Sequence, residues 1–212
     1  MKELQNQLLA GIKLNVAEYG FRFTSADRAF RKDAAGMRFS FHLAFIRHPT
    51  DFDVTVDLAV RYDQVEELVG SLTPLHPLFN GRKPFTWTIG VEVGNLTQGS
   101  QLRWSIFDET DVKTAIAGIT ATFHKVALPY FEMYRTPESA YSMLQRDDKV
   151  ANLNSALRVK RWIRVAALAF LLEPEQMDFW LSRAAETLNA AQDVHLDQFE
   201  QFASALVARR NN

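Results

Sequence analysis

The chain contains no cysteine, and its net charge is only −1 over 212 residues. Without thiols it can form no disulfide, no thiolate zinc site and no cysteine nucleophile. A charge this close to zero gives no reason to expect nucleic acid or an anionic membrane as a partner. The longest apolar run, VAALAFLL at 165–172, is far shorter than the roughly 18 residues of a membrane span. Since the N-terminal segment also lacks a signal-peptide pattern, the sequence predicts a cytoplasmic protein.

The common catalytic motifs are also missing. There is no Gly-x-Ser-x-Gly elbow and no dinucleotide-binding glycine fingerprint. The segment GNLTQGSQ (94–101) imitates the glycine spacing of a phosphate loop. However, Ser100 and Gln101 replace the lysine and hydroxyl that should follow the second glycine, so it is interpreted as a hairpin loop. The histidines lie in separate segments without a His-x-x-x-His pair, at positions 42, 48, 76, 124 and 195. These patterns predict no cofactor, no metal and no catalytic residue.

The sequence does have ample material for a core, with 47% hydrophobic residues and 16 phenylalanines. A first amphipathic helix is predicted because apolar residues recur at helical spacing and a glycine, Gly20, follows where a left-handed stop is expected. The apolar positions of this helix are Leu4, Leu8, Leu9, Ile12, Val16 and Tyr19.

Four later segments alternate apolar and polar residues, which predicts antiparallel strands with one buried and one wet face. They are MRFSFHLAF (37–45), DFDVTVDLAVRY (51–62), PFTWTIGVEV (84–93) and LRWSI (102–106). Turns are predicted at DAAG (33–36) and RHPTD (47–51), with an earlier short strand around Phe30.

From Asp108 onward the pattern is helical, with an interruption expected at Pro129 and a new start at Thr136 and Pro137. Further helices are predicted over 150–172, 174–190 and 192–209. The fold class is therefore α+β: an antiparallel four- to five-stranded meander covered on one face by helices, followed by a C-terminal helical segment. The covering helices are the first one and the one over 110–128. The stretch QRDDK (145–149) suggests a meander domain at 1–148 and a helical segment at 149–212.

Three aspartates, Asp51, Asp53 and Asp57, are the densest group of like functional residues. Asp53 and Asp57 share one side of their strand with Thr55 between them. A tight turn at 49–50 would place His42 opposite Asp57, and a two-residue slip would place it opposite Thr55 instead. A histidine and two carboxylates could bind a metal or move a proton. An open sheet surface lacks the walls of a catalytic cleft, so we interpret this stripe as the wet face of the sheet.

Two other stretches are candidates for binding. The segment LTPLHPLFNGRKPF (72–85) combines apolar residues with prolines, and we expect it to fold onto the core rather than contact a partner. The segment ALRVKRWIRV (156–165) carries Arg158, Lys160, Arg161 and Arg164 within two helical turns. It is either a solvated basic face or a dock for an acidic partner.

The order of parts resembles a family of uncharacterised bacterial domains of unknown function. The resemblance is carried by Gly20-Phe21, by Phe30-Arg31, by the strand containing Trp87 and by ALPYFEMYRTPESAYSML (127–144). It implies a helix, a β-meander, a helix with a Leu-Pro-aromatic break and a helical C-terminal tail. Some proteins of this kind resemble toxin–immunity proteins, which implies inhibition by direct binding.

The sequence therefore favours a non-enzymatic protein-binding module, a bacterial immunity or accessory protein, over an enzyme. The predicted partner-binding residues are Arg38, Asp53, Asp57, Glu92, Arg103, Arg158 and Arg161. One alternative is a small-molecule-binding or metal-dependent enzyme with a pocket between the sheet and the C-terminal helices, using His124 or His42. Another is a homo-oligomer that assembles through its helical tail.

Overall fold

A computed structural model of the chain describes residues 1–26, 28–73 and 86–211. Its first helix, α1 (Lys2–Val16), continues as a 3₁₀ turn over Ala17–Tyr19 and ends at Gly20. Gly20 has φ 83°, a left-handed conformation that glycine adopts without steric cost. The predicted first helix and its glycine stop are confirmed.

The described residues include one six-stranded antiparallel sheet. Its strand order is β1-β2-β3-β4-β5, and β6 pairs with β4. The strands are β1 (Arg22–Thr24), β2 (Ala29–Ala34), β3 (Met37–Arg47), β4 (Phe52–Tyr62), β5 (Ile89–Glu92) and β6 (Trp104–Ile106). The α+β class with an antiparallel sheet is confirmed, and β1 is an additional short strand.

Both predicted turns are present. Ala35 and Gly36 connect β2 to β3 with φ values of 38° and 79°, which is the backbone of a tight hairpin. The turn between β3 and β4 is closed by a hydrogen bond from the His48 N–H to the Asp51 carbonyl, 3.0 Å.

The edge formed by β5 and β6 differs from the prediction. The strand expected over 84–93 is short, and helix α3 (Val93–Thr97) follows it at once. Neither strand pairs with the other in the described sheet, because β5 and β6 each lie beside β4. The segment 94–101 therefore forms a helix and a loop that connect β5 to β6, two strands that both pair with β4. The hairpin-loop interpretation was wrong.

The helix that follows is longer than predicted. It begins as α4 (Glu109–Thr122), passes through a π-helical turn at Phe123–Ala127 and ends as α5 (Leu128–Met133). Asp108 and Asp111 form a capping box at its start. Pro129 does not end the helix. Proline has no N–H to donate to the preceding turn, and the π-helical turn before it shifts the backbone hydrogen bonds at this point, so the helix continues past Pro129.

Five helices follow Met133, with a 3₁₀ turn at Pro174–Gln176. They are α6 (Pro137–Leu144), α7 (Lys149–Asn154), α8 (Arg158–Leu172), α9 (Met177–Ala190) and α10 (Leu196–Arg210). The helix expected over 150–172 is thus two helices. Helix α2 (Asp63–Leu72) was not predicted from the sequence. The predicted loop at 72–85 lies outside the described residues from position 74 onward.

The chain forms two compact units. The sheet unit consists of Met1–Val60 and Gly90–Met133, and the helical unit of Arg61–Ile89 and Tyr134–Asn212. The predicted boundary between 1–148 and 149–212 was drawn from composition alone and stays a prediction.

The core of the sheet unit is built from phenylalanines. Phe123 in the π-helical turn packs edge-on against Phe21 and Phe41, each with ring centroids 5.2 Å apart. Helix α1 approaches α4 closely, because a Cβ on Gly11 would lie only 2.3 Å from Ile116 Cδ1. The two predicted covering helices thus pack together on the buried side of the sheet.

Helix α8 is the centre of the helical unit and packs against α2, α6, α9 and α10. Its residues from Arg161 to Ala169 are all buried. The rings of Trp162 and Trp180 stack with centroids 6.2 Å apart. No helix in the described ranges is long and apolar enough to cross a membrane.

Candidate functional site

Two ion pairs lie on the polar face of β2, β3 and β4. Arg38 in β3 lies opposite Asp33 in β2 and donates from Nε to Asp33 Oδ1 at 2.6 Å. His42 Nδ1 lies 3.1 Å from Asp57 Oδ2 in β4, as predicted for a tight turn. We name these four residues, Asp33, Arg38, His42 and Asp57, the mixed-charge surface.

The side chains of this surface are accessible. The exposed fraction is 73% for Asp33 and 22% for Arg38. It is 36% for His42 and 40% for Asp57. Such pairs contribute little to folding because water screens them. Asp33, His42 and Asp57 are therefore accessible to an approaching molecule, and Arg38 is partly so.

Asp53 has a different environment from the one predicted. It is only 7% exposed, although the same alternation that places Asp57 at the surface also places Asp53 on the polar side of β4. Thr55 between them is 2% exposed. The prediction that Asp53 belongs to a wet face was wrong, because alternation shows to which side a residue points and not what covers that side.

Three side chains surround the Asp53 carboxylate. Ser105 Oγ donates to Oδ1 at 2.7 Å, while Arg103 Nη1 and His48 Nε2 lie 3.2 Å from Oδ2. The Ser105 hydrogen bond, with those of His48 and Arg103, lowers the pKa of Asp53 below its ordinary value, although burial acts in the opposite direction. Ser105 and His48 were not predicted. The register of β6, which pairs Ser105 with Asp53, explains the first contact.

Arg103 and Glu92 were predicted as partner contacts. Arg103 is half-exposed and also donates from Nε and Nη2 to Gln101 Oε1, at 2.9 and 2.7 Å. Glu92 caps α3 instead of facing outward freely. Its carboxylate accepts hydrogen bonds from the N–H groups of Gly94, Asn95 and Leu102, at 2.9, 2.9 and 3.1 Å. Both oxygens of Glu92 are thus used to hold the 93–102 segment.

The basic residues of α8 do not form the surface predicted for them. Arg161 is 0% exposed and bonds to Asn152 and Asp147. Arg164 is buried beside Glu66, and Arg158 is half-buried. Neither a solvated basic face nor a dock for an acidic partner fits this arrangement. The reason is that α8 is packed on several sides by other helices, so its basic positions also point into protein.

Glu66 and Arg164 form a bidentate ion pair inside the helical unit. Arg164 Nε lies 2.9 Å from Oε1 of Glu66, and Nη2 lies 3.2 Å from Oε2. Burial alone would raise the pKa of Glu66. The charge and hydrogen bonds of Arg164, with the charge of Arg61 and a hydrogen bond from Thr88, outweigh it, so that the pKa is lowered. This pair supports the fold and is not accessible.

No group of three histidine, aspartate or glutamate side chains in the described part of the chain is arranged to hold a metal ion. His124, considered for an enzyme, is exposed in the π-helical turn with its ring 5.2 Å from that of Tyr19. No family model matches the chain, and no significant similarity to a curated protein or a solved structure was found. Function must therefore be argued from contacts and charges.

Proposed function

We propose that this protein binds another protein through the mixed-charge surface and acts without catalysis. The observation that carries the proposal is the presence of two ion pairs with accessible members on one side of β2, β3 and β4, Asp33–Arg38 and His42–Asp57. Complementary charges across an interface fix its register and raise the association rate. Exposed groups of both signs fit a partner whose own contact surface carries both signs.

The resemblance to a family of uncharacterised bacterial domains, some of which resemble toxin–immunity proteins, suggests the form of this binding. An immunity or accessory protein acts by covering a surface of its partner, so it needs an accessible and specific patch rather than a catalytic cleft. The nearly neutral chain favours a partner recognised by local charge pattern over one attracted by a strong overall field. Of the seven predicted contacts, Arg38 and Asp57 carry this proposal, and Arg103 lies at the surface as well.

The experiment is charge reversal at Asp57 with a matched control. Partner proteins would be captured from the native host with the tagged chain and identified by mass spectrometry, and their affinity then measured with purified components. We expect Asp57→Lys to weaken binding at least tenfold, since like charges juxtaposed at an interface cost several kcal/mol. Glu200→Lys makes the same charge change at an exposed position of α10 and should leave the affinity unchanged.

The outcome that contradicts the proposal is equal loss, or equal retention, of binding in both variants. Equal retention would mean that the partner contacts another surface. Self-association is distinguished by mass, because a homo-oligomer would be detected with the purified chain alone.

A further inference from the structure

A cavity of about 420 Å³ opens in the sheet unit, where the start of α1 meets β3 and the segment before β2. Its volume lies within the roughly 300–1,000 Å³ typical of small-molecule sites. The cavity is distinct from the mixed-charge surface and shares no residue with it. Its lining residues are Met1, Lys2, Gln5, Asn6, Leu9, Arg28, Phe45 and Arg47.

The charged residues of this lining are all basic. Lys2, Arg28 and Arg47 line the cavity, and the described lining includes no aspartate or glutamate. None of the three cations forms an ion pair with a described residue. The Arg28 guanidinium instead lies 5.4 Å from the centroid of the Phe45 ring. All three residues are exposed, so their charges can be reached by an anion that enters the cavity, and such an anion would be attracted by all of them.

Gln5 provides an independent observation. It lines the cavity, is only 9% exposed and forms no side-chain hydrogen bond with any residue in the described ranges. A ligand oxygen within the cavity would accept from this amide and satisfy it.

The start of α1 adds to the positive field. The helix has 15 residues, and no side chain caps its first turn. Its first N–H groups have no partner within the helix, and the aligned peptide dipoles place partial positive charge there. Leu9 and Phe45 complete the lining with apolar surface.

We propose that this pocket binds a free organic phosphate monoester, with the phosphate among Lys2, Arg28 and Arg47 and the organic group against Leu9 and Phe45. A phosphate monoester carries about −1.5 to −2 charges at pH 7, which suits three cations better than the single charge of a carboxylate. Arginine binds phosphate with two parallel hydrogen bonds. The apolar part of the lining gives the site room for more than inorganic phosphate.

The test is isothermal titration calorimetry with phenyl phosphate, inorganic phosphate and benzoate as probes. We expect saturable 1:1 binding of phenyl phosphate, at least tenfold tighter than that of either other probe. Equal binding of inorganic phosphate would overturn the role of the apolar lining, and equal binding of benzoate would overturn the preference for a dianion. The absence of saturable phenyl phosphate binding would overturn the proposal. Binding to vesicles that contain phosphatidic acid, without binding to phenyl phosphate, would also overturn it, because the ligand would then be a lipid headgroup and not a free phosphate.

Variants connect the binding to the pocket. Arg47→Gln and Arg28→Asn should each lower the affinity for phenyl phosphate at least tenfold. Asparagine suits position 28 because Arg28 has φ 53°, which asparagine tolerates. The control is Lys13→Gln, an exposed lysine about 16 Å along the same helix from Lys2, which should bind as the unmodified chain does.

Gln5→Leu separates binding from folding. Removing an unpartnered buried amide should leave the melting temperature unchanged or raise it, whereas the affinity for phenyl phosphate should fall at least fivefold. If Gln5→Leu lowers the melting temperature and leaves the affinity unchanged, Gln5 is a structural residue and the assigned ligand contact is wrong. Binding that persists in the Arg28 and Arg47 variants would place the phosphate elsewhere.

Discussion

Asp53 in the sheet unit and Glu66 in the helical unit are both buried carboxylates paired with arginine, yet their surroundings differ. Arg103, the partner of Asp53, is 48% exposed, and Ser105 and His48 share the same carboxylate. Glu66 and Arg164 are 1% and 8% exposed, and the charge of Arg61 and a hydrogen bond from Thr88 also stabilise the Glu66 carboxylate. The first carboxylate belongs to a network with a half-exposed arginine, and the second to a group of side chains whose ion-paired arginine is buried.

The degree of burial decides how much stability is lost when one member of an ion pair is removed. A buried ion pair contributes little net stability relative to apolar residues, but removing one partner leaves a charge without water or a counter-charge. A network with an exposed member can admit water and rearrange. The effects of substitution should therefore decrease from the buried pair, through the network and the helix cap, to the exposed pairs.

The largest effect is expected for Arg164→Met. It leaves the Glu66 carboxylate buried without its ion-pair partner, with only the weaker effect of the Arg61 charge, and should lower the free energy of unfolding by about 3–5 kcal/mol. Urea denaturation would measure this change. The double variant Glu66→Leu with Arg164→Met removes both charges and should recover at least half of the loss. A double variant as unstable as the single one would show that packing, not charge, explains the effect.

Asp53→Asn should have the next largest effect on stability. It should lower the free energy of unfolding by about 1–2 kcal/mol near neutral pH, because the amide accepts weaker hydrogen bonds than the carboxylate. The native pKa lies below the ordinary value of 3.8, so the stabilisation is present above pH 4 and is lost as the pH falls through the native pKa. The difference between the urea midpoints of the two proteins should therefore become smaller as the pH is lowered from 7 to 3. Parallel curves would mean that the charge of Asp53 is not what stabilises the native state.

Glu92→Ala should lower the free energy of unfolding by about 1 kcal/mol, as expected for removal of a helix-capping side chain. The carboxylate also accepts from the Leu102 N–H, so hydrogen exchange at Leu102 should accelerate together with that at Gly94 and Asn95. Glu200→Ala, at an exposed position, is the control and should change neither quantity. Exchange that accelerates at Gly94 and Asn95 alone would show that Glu92 caps α3 without holding the loop.

The smallest effect on stability is expected at the mixed-charge surface. His42→Ala removes one member of an exposed pair and should change the free energy of unfolding by less than about 1 kcal/mol. Thermal unfolding would measure it. A loss comparable to that of Asp53→Asn would mean that the His42–Asp57 pair supports the fold, and the surface would then lose its role as a free contact patch.

The features predicted correctly from the sequence are mostly local. The helical spacing from Leu4 to Tyr19 and the glycine at position 20 define α1 without tertiary information. The turns at 33–36 and 47–51 set the register of their hairpins, so the His42–Asp57 pair could also be predicted.

The features that the sequence did not predict depend on what packs around a segment. The arginines of α8 resemble a solvated stripe in one dimension, but other helices pack on several sides of α8 and bury Arg161 and Arg164. Asp53 gains Ser105 only because β6 returns to the start of β4, a pairing across 52 residues. The cationic pocket likewise combines the first turn of α1 with Arg28 and Arg47, which lie far apart in the sequence.

Native mass spectrometry would show whether a protein partner binds at the mixed-charge surface. The tagged protein, Asp57→Lys and Glu200→Lys would be purified gently from the native host and compared at equal protein concentration. We expect a partner protein bound at fixed stoichiometry to the unmodified protein and to Glu200→Lys. We expect this partner to be absent from Asp57→Lys. A partner retained equally by all three proteins, or no protein partner on any of them, would contradict the proposed function.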